Sequence, residues 1–327
     1  MDPLTHTATG VLLARAGLDR FTPRATLICV VAANIPDIDI VTASSSINYL
    51  NYHRHLTHGL VAVPFMGALA VLIAEGLARL FRQRGEPLPW LSAWAVATLV
   101  ALSHPLLDLM NAYGIRLALP FSGAWQSLDI LFVIEPIIWL ILSIAIVAPM
   151  LAGLLHSEIG DQPPRRDRWA WAGLTLVLAF MGVKGVLHAR AVDTLDAHLY
   201  DGAPAVRVAA FPMPFNPLTW LAYVETARSH YFSTLNLSEE YDPSRAKRYY
   251  KPEPGPGLEA AYSSSLVRDY RDFAQYAFTE VEPIPGGHLV RMADFRFPSG
   301  DGFGFQCRIQ LDELNRVVRE QFRFGGD

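Results

Sequence analysis

Two long stretches of this chain carry no charged side chain, and they constrain the fold more than any other feature of the sequence. Leu88–Leu107 covers 20 residues and Pro136–Ser157 covers 22. A helix of about 20 apolar residues is long enough to cross the hydrocarbon core of a bilayer. Charged residues make up 18% of the 327 residues, below the roughly one quarter that is usual in soluble domains. The sequence therefore predicts a multi-pass membrane protein.

Four shorter apolar segments extend the prediction to about six membrane segments. The first is the weakest, because it is short and contains Arg15. Near residue 190 the composition changes, and the rest of the chain is rich in Asp, Glu, Arg, Tyr and Pro. We predict an α-helical membrane bundle over residues 1–190, which carries the functional site, followed by a smaller α+β domain over residues 191–327. The four shorter segments are residues 3–18, 25–41, 59–80 and 169–187.

Arginines gather in every second loop between the predicted segments. Since successive spans alternate in direction, these three loops lie on one side, which the positive-inside rule assigns to the cytoplasm. The protein is then predicted to lie in the cytoplasmic (inner) membrane, with loops 43–57 and 109–130 and the C-terminal domain on the extracytoplasmic side. The arginines are Arg15, Arg20 and Arg24, then Arg79, Arg82 and Arg84, then Arg165, Arg166 and Arg168.

The sequence of the C-terminal domain shows the periodicity of helices in one part and that of strands in others. Leu258–Phe278 has the spacing of an amphipathic helix, and residues 241–257, rich in Pro and Gly, resemble a linker. Strands are predicted where polar and apolar residues alternate, at Val206–Phe211, His288–Phe297, Gly302–Leu311 and Val317–Phe324.

Composition also excludes one class of partner. The net charge is −4, so the chain lacks the basic surface by which proteins bind nucleic acid. Cys29 and Cys307 lie in an apolar run and in the polar tail, and neither has the spacing of a cysteine metal site.

The ends of the predicted spans carry an unusual set of ionisable residues. Such groups cost about 2.5–3.5 kcal/mol each near the bilayer centre, so they require partners or a function. By the orientation above, all of them belong to the same leaflet. They are His6, Asp37, Asp39, His53, His55, His58, His104, Asp108, Asp129 and Glu135.

The spacing and chemistry of these residues favour a metal site. His104 and Asp108 are four residues apart and share one face of a helix. Pro36 is expected to end the regular helix, and an extended chain after it would direct Asp37 and Asp39 to the same side. Nitrogen and carboxylate ligands suit Zn²⁺, and also Mn²⁺ or Fe²⁺. The candidate ligands are His6, Asp37, Asp39, His53, His58, His104 and Asp108, enough for one ion or two.

Each residue also has a simpler interpretation. A single histidine inside a membrane protein is more often a hydrogen-bonded packing residue, and Asp37 and Asp39 could cap the end of a span. Glu135 could be a satisfied buried acid. His55 is the member of its group most easily explained as a bystander.

Taken in order, these motifs resemble the YdjM family of inner-membrane proteins, to which a metal-dependent hydrolase activity is ascribed. The resemblance covers roughly residues 1–190 and implies a distant similarity to zinc-dependent phospholipases C. It implies metal ligands at His6, Asp37 or Asp39, His53, His58, His104 and Asp108, with Asp129 less clear. Glu135 stands where the family tends to have Asp, and His55 where it has a small residue. The motifs are His6, Pro36-Asp37-Ile38-Asp39, His53-Arg54-x-x-Thr57-His58, His104-Pro105-x-x-Asp108, and Asp129 with Glu135-Pro136.

The sequence thus predicts a hydrolase that cleaves a phosphoester, with a membrane lipid or lipid-linked phosphate as substrate. Asp37 or Asp129 would accept a proton, and Arg54 would neutralise a phosphate oxygen. Two other classes of function are alternatives. One is a divalent-metal transporter or sensor, although transporters place their polar residues near the midplane and in paired repeats. The other is a structural membrane protein in which a metal braces the bundle.

Overall fold

A computed structural model describes residues 1–42, 45–81, 86–159, 166–299 and 302–324. The helices are α1 (Pro3–Arg15), α2 (Ala25–Asn34), α3 (Ser46–Tyr52), α4 (Val63–Leu80), α5 (Trp90–Leu109), α6 (Pro136–Ile159), α7 (Arg166–Asp196), α8 (Pro256–Ser263) and α9 (Ser265–Phe273). The strands are β1 (Leu199–Tyr200), β2 (Ala203–Pro204), β3 (Arg207–Pro212), β4 (Thr219–Glu225), β5 (Ser229–Asn236), β6 (Lys247–Tyr250), β7 (Ala277–Ile284), β8 (Gly287–Asp294), β9 (Pro298–Ser299), β10 (Gly302–Phe303), β11 (Phe305–Asp312) and β12 (Val317–Phe324).

The chain forms two compact units. The first contains Met1–Asp39, Arg54–Val186 and Pro214–Asn216. The second contains Ile40–His53, Leu187–Met213 and Pro217–Asp327.

Within the described residues, five helical segments are long and apolar enough to cross a membrane: Ala25–Thr42, Leu60–Leu80, Trp90–Leu109, Pro136–Leu155 and Arg166–Asp196. Their outward faces carry exposed apolar side chains such as Leu99, Leu140 and Leu178. Large exposed apolar surfaces are rare on soluble proteins, whereas lipid accommodates them. The predicted fold class is confirmed: a helical membrane region of about six segments precedes a domain of antiparallel sheets.

The first predicted segment is a short helix inside the bundle. Helix α1 has 13 residues and rises only about 20 Å, too little for the hydrocarbon core by itself. Asp2 caps it by accepting hydrogen bonds from the main-chain N–H groups of Leu4 and Thr5. The indole N–H of Trp139, in α6, donates to the same carboxylate. These contacts fix the start of α1, and with it His6, against α6.

Small residues allow the helices of the first unit to approach closely. A Cβ added at Gly10 would lie 2.7 Å from the main-chain oxygen of Cys29, where α1 meets α2. A Cβ at Gly67 would lie 2.8 Å from the Cα of Thr98, where α4 meets α5. Because apolar burial adds little between helices in lipid, close backbone contact of this kind supplies the packing energy.

The basic loops lie together at one end of the first unit. Arg24 forms an ion pair with Glu75, which joins the first basic loop to the end of α4. Arg20 lies 3.9 Å from Asp167 at the start of α7. The grouping of these loops at one end agrees with the alternating spans, while the assignment of that end to the cytoplasm stays a prediction. Arg82, Arg84 and Arg165 lie outside the described residues.

The second unit is built on two four-stranded antiparallel sheets, with strand orders β3-β4-β5-β6 and β12-β11-β8-β7. Aromatic rings from both sheets pack together, for example Tyr223 on Phe295 at 5.2 Å and Tyr249 on Phe278 at 4.6 Å. The strands predicted at Val206–Phe211, His288–Phe297, Gly302–Leu311 and Val317–Phe324 correspond to β3, β8, β10–β11 and β12.

Two predictions for this unit were wrong in part. The expected helix Leu258–Phe278 is two shorter helices, α8 and α9, because the extended backbone at Ser264 ends α8 and its hydroxyl caps α9. Residues 277–278 belong to β7 instead. The expected linker 241–257 contains a strand, β6, which pairs with β5.

Candidate metal centre

Three helical elements of the first unit bring the predicted ligands together. Asp37 lies on a 3-10 helix, Ile35–Thr42, that continues directly from α2. His58 lies in the short 3-10 turn Leu56–His58 before α4. His104 and Asp108 lie in the last two turns of α5, which Pro105 does not interrupt.

The four side chains form a compact, buried cluster. The Oδ1 atom of Asp37 is 3.3 Å from the Nε2 atom of His58 and 3.4 Å from that of His104. Asp108 Oδ2 is 3.5 Å from His58 Nε2 and 3.6 Å from His104 Nε2. The four donor atoms lie within 4.8 Å of one another, a spacing that allows all of them to contact one ion. A buried His and Asp cluster that can bind a metal ion is thus present at the predicted place.

The histidine rings are held so that Nε2 faces the cluster. The Nδ1 atom of His104 lies 2.7 Å from the main-chain oxygen of Ala33, so Nδ1–H donates to this carbonyl. With Nδ1 protonated, Nε2 keeps its lone pair for a metal ion.

Asp39 and Thr57 hold the ring of His58 in the same way. The Nδ1 atom of His58 lies 3.0 Å from the Thr57 hydroxyl oxygen and 3.3 Å from Asp39 Oδ2. The same oxygen accepts hydrogen bonds from the hydroxyl of Thr57 at 2.8 Å and from the main-chain N–H of Arg54 at 2.9 Å. A carboxylate behind a ligating histidine orients the ring and raises its basicity.

The extended backbone expected after Pro36 is absent. Residues 35–42 form a 3-10 helix instead, and one carboxylate oxygen of Asp37 still lies within 4.8 Å of one of Asp39. Asp37 contacts Nε2 of His58, whereas Asp39 contacts Nδ1 of the same ring.

His6 adjoins the cluster from α1. Its ring stacks on that of His104 with 3.7 Å between centroids, and its Nε2 atom is 3.4 Å from Asp108 Oδ1. Among the described residues, neither nitrogen of this buried ring has a hydrogen-bond partner. Buried polar atoms are normally satisfied, so these orphaned atoms fit a site that completes its bonding with a cation.

Arg54 is buried beside the cluster. Its Nε atom is 3.2 Å from Asp108 Oδ2, and Nη1 donates to the side-chain oxygen of Asn111 at 3.0 Å. Its guanidinium also stacks on the ring of Tyr113 at 4.6 Å. The backbone of Arg54 adopts a left-handed conformation with φ of 59°, which a non-glycine residue adopts only under local constraint. The structure thus gives Arg54 a contact with a candidate ligand, and its role toward phosphate stays a prediction.

The remaining candidates lie outside the compact cluster. Asp129 is held beside the end of α5, because its neighbours Leu128 and Ile130 hydrogen-bond to the main chain of Leu109 and Met110. Glu135 is buried and interacts electrostatically with Lys184 of α7. His53 belongs to the second unit, where its ring lies 4.6 Å from that of Tyr49. The ligand or catalytic roles of Asp129 and His53 stay predictions.

Sequence reasoning missed several residues of the centre. Thr57 belonged to a motif but had no role assigned to it, and Asn111 is an ordinary polar residue whose position only the fold reveals. Lys184, which interacts with Glu135, is the single charged residue in the apolar stretch 169–187 of α7, a signal that could have suggested a buried carboxylate partner. The α-ammonium group of Met1 forms an ion pair with Asp108.

The donor set fits a divalent cation. Two imidazole nitrogens and two carboxylates match the ligands that Zn²⁺, Mn²⁺ and Fe²⁺ take in proteins. Asp37 is 24% exposed, whereas the side chains of His58, His104 and Asp108 are at most 1% exposed. The cluster is therefore accessible on the side of Asp37.

Comparison with known proteins shows the family of this chain. The chain is 29% identical over 323 residues to a Bacillus subtilis (strain 168) protein described as "Uncharacterized protein YfhP", with 95% of this chain and 91% of that protein covered. No solved structure matches the chain significantly. The model of the YdjM inner membrane protein family matches residues 1–191, more than half of the chain. The matched region contains every member of the cluster. The chain belongs to the YdjM inner membrane protein family.

Proposed function

We propose that this protein is a metal-dependent hydrolase of the inner membrane that cleaves a phosphoester in a lipid or lipid-linked substrate. One observation carries the proposal: His58 and His104 both direct Nε2 to the same point as Asp37 and Asp108, while their Nδ1 atoms are bonded elsewhere. Two oriented imidazoles in a dry site are costly to maintain unless the site binds something.

His58, His104, Asp37 and Asp108 would hold the cation, with His6 next to them, and Zn²⁺ is the ion that this mixture suits best. A divalent cation at this point supplies Lewis-acid activation of the phosphoester and of the attacking water. The number of ions stays a prediction.

The chain's own residues then have separate tasks. Asp37, the most exposed member of the cluster, is placed to accept a proton from water on the open side. Asp39 and the carbonyl of Ala33 hold the two histidines in the tautomer that exposes Nε2. Arg54 compensates the negative charge of Asp108.

The position of the cluster supports a membrane substrate. Asp37 and Asp108 lie near the ends of the candidate spans Ala25–Thr42 and Trp90–Leu109, at the level where lipid headgroups meet the hydrocarbon core. By the positive-inside rule this is the outer face. Transporters keep their ion sites nearer the midplane, so this position favours a hydrolase over a transporter.

The test is metal analysis combined with assays on the full-length protein in detergent. We expect the wild type to bind metal and to hydrolyse a soluble phosphodiester or a phospholipid. His104→Ala and Asp108→Ala should lose both properties. His55→Gln is the matched control, because His55 lies in the same segment as His58 and outside the four-residue cluster.

Loss of metal in the two variants without any loss of activity would leave a structural site and remove the enzyme proposal. Metal uptake into liposomes that contain the wild type, without hydrolysis, would identify a transporter instead.

A further inference from the structure

A second charged cavity lies at the basic end of the first unit, at the opposite end of α1 from His6. Its volume is about 510 Å³, in the range of ligand pockets in proteins. The lining comes from the end of α1, the turn after it, and the starts of α2 and α7. The lining residues are Arg15, Asp19, Arg20, Thr26, Arg166 and Asp167.

Arg15 is poorly satisfied in this cavity. Its Nη1 atom donates to the main-chain oxygen of Ile146 at 3.0 Å, and Nη2 is 3.7 Å from the sulfur of Met150. Both acceptors belong to the candidate span Pro136–Leu155. A guanidinium has five N–H donors, and a thioether is a weak acceptor. Among the side chains that the structure describes, no carboxylate pairs with Arg15, so its remaining N–H donors can bind an anion.

The other lining residues leave the cavity positive. Arg166 lies close enough to Arg15 to repel it electrostatically. Arg20 and Asp167 are 3.9 Å apart, which makes a loose pair in which Arg20 is exposed and Asp167 is half-buried. Three arginines against two aspartates give a net charge of one positive unit. The positive end of the α2 dipole adds to this field, because Thr26 is the second residue of α2.

Aromatic residues place the cavity at the level of lipid headgroups. Trp169 and Trp171 follow Arg166 in the first turns of α7, and both are exposed. Phe21, beside Arg20, is exposed as well. Tryptophan prefers the membrane interface, where its ring contacts both apolar chains and headgroups. Basic pockets between spans at this level suit the headgroups of anionic lipids.

We propose that the cavity between Arg15, Arg20 and Arg166 binds a phosphate group, supplied in the membrane by the headgroup of an anionic phospholipid. Arg15 contacts the phosphate from inside the bundle, and Arg166 contacts it from the surface. This site is distinct from the metal centre and independent of the proposed hydrolysis.

The experiment measures lipid binding to the full-length protein by native mass spectrometry. The protein in detergent is titrated with phosphatidylglycerol, with phosphatidylcholine, and separately with inorganic phosphate. The variants are Arg15→Gln and Arg166→Gln. Arg166 is exposed, so its variant should fold even if Arg15→Gln does not. Arg79→Gln is the matched control, since Arg79 pairs with Glu75 at the same end and does not line the cavity.

We expect phosphatidylglycerol to bind more tightly than phosphatidylcholine. Each cavity variant should weaken that binding about fivefold, which corresponds to about 1 kcal/mol per arginine, while Arg79→Gln should not. Binding of inorganic phosphate with the same arginine dependence, but no preference for phosphatidylglycerol, would support the phosphate site and overturn the lipid as its ligand. An equal effect of Arg79→Gln, or binding of neither phosphatidylglycerol nor phosphate, would overturn the site.

Discussion

The Nδ1 atom of His104 lies 2.7 Å from the main-chain oxygen of Ala33, and this hydrogen bond joins the end of α5 to the end of α2. The acceptor is a backbone atom, so the orientation of His104 depends on the packing of the two helices. That packing also sets the distance of 3.4 Å between His104 and Asp37. The candidate metal centre is therefore sensitive to changes in helix packing as well as to changes in its candidate ligands.

Asp39 should tune metal affinity without being one of the four clustered ligands. Asp39→Ala removes the carboxylate beside His58 Nδ1 and leaves the Thr57 hydroxyl as its partner, and loss of such a carboxylate typically weakens metal binding about 10–100-fold. Asp39→Asn retains a carbonyl oxygen as acceptor and should have a smaller effect. The measurement is a metal titration of both variants. If neither variant changes the affinity, Asp39 does not position His58.

Arg54→Lys should lower metal affinity by about tenfold, as expected for a group that contacts a ligand. Lysine cannot reproduce the simultaneous contacts of the guanidinium with Asp108 and Asn111. The metal titration is compared with the KM for a soluble phosphodiester. A raised KM with unchanged metal affinity would instead assign Arg54 to the substrate.

Two glycines in α4 give a matched pair for helix packing. Gly67→Ala should destabilise the protein by about 1–3 kcal/mol, because the new Cβ would meet the backbone of Thr98 at 2.8 Å. A Cβ added at Gly76 would have no atom within 4 Å, so Gly76→Ala should be neutral or stabilise the helix by up to about 1 kcal/mol. Thermal unfolding in detergent distinguishes the two. Similar shifts for both would show that α4 and α5 are not in close contact.

The second unit should lose stability in acid through His230. Burial lowers the pKa of His230 from 6.5 to about 4, and its Nδ1 atom lies 3.1 Å from the hydroxyl of Tyr223. A lowered pKa in the folded state means that this contribution is present above pH 6.5 and is lost as the pH falls towards 4. The loss amounts to about 3 kcal/mol, at 1.36 kcal/mol per pKa unit.

The measurement is the thermal midpoint of the full-length protein between pH 7 and pH 4. His230→Phe keeps a ring against Phe295 and cannot titrate, so its midpoint should fall less steeply. Identical slopes for the two proteins would exclude His230 as the group responsible.

The orientation in the membrane can be tested with single cysteines, because Cys29 and Cys307 are both buried. Ser122→Cys lies in the exposed loop between α5 and α6, at the end that carries the metal centre. Arg168→Cys lies at the basic end. A membrane-impermeant maleimide added to intact spheroplasts should label the first and spare the second. The reverse labelling would place the metal centre on the cytoplasmic side.

The positions of the membrane helices could be predicted from the amino-acid sequence, because an apolar stretch of about 20 residues is a local property of the chain. The sequence also identified His58, His104, Asp37 and Asp108 as residues that require an explanation inside a membrane. The pair His104 and Asp108 followed directly from helical periodicity, since four residues separate them.

The arrangement of these residues could not be predicted in this way, because it depends on how distant segments of the chain pack together. Asp37 and Asp39 belong to one motif, but Asp37 contacts Nε2 of His58, whereas Asp39 contacts Nδ1 of the same ring. Strands β4 and β5 escaped prediction because consecutive residues of each are buried, which hides the alternation. In each case the outcome depends on contacts between segments far apart in sequence, and local periodicity contains no information on such contacts.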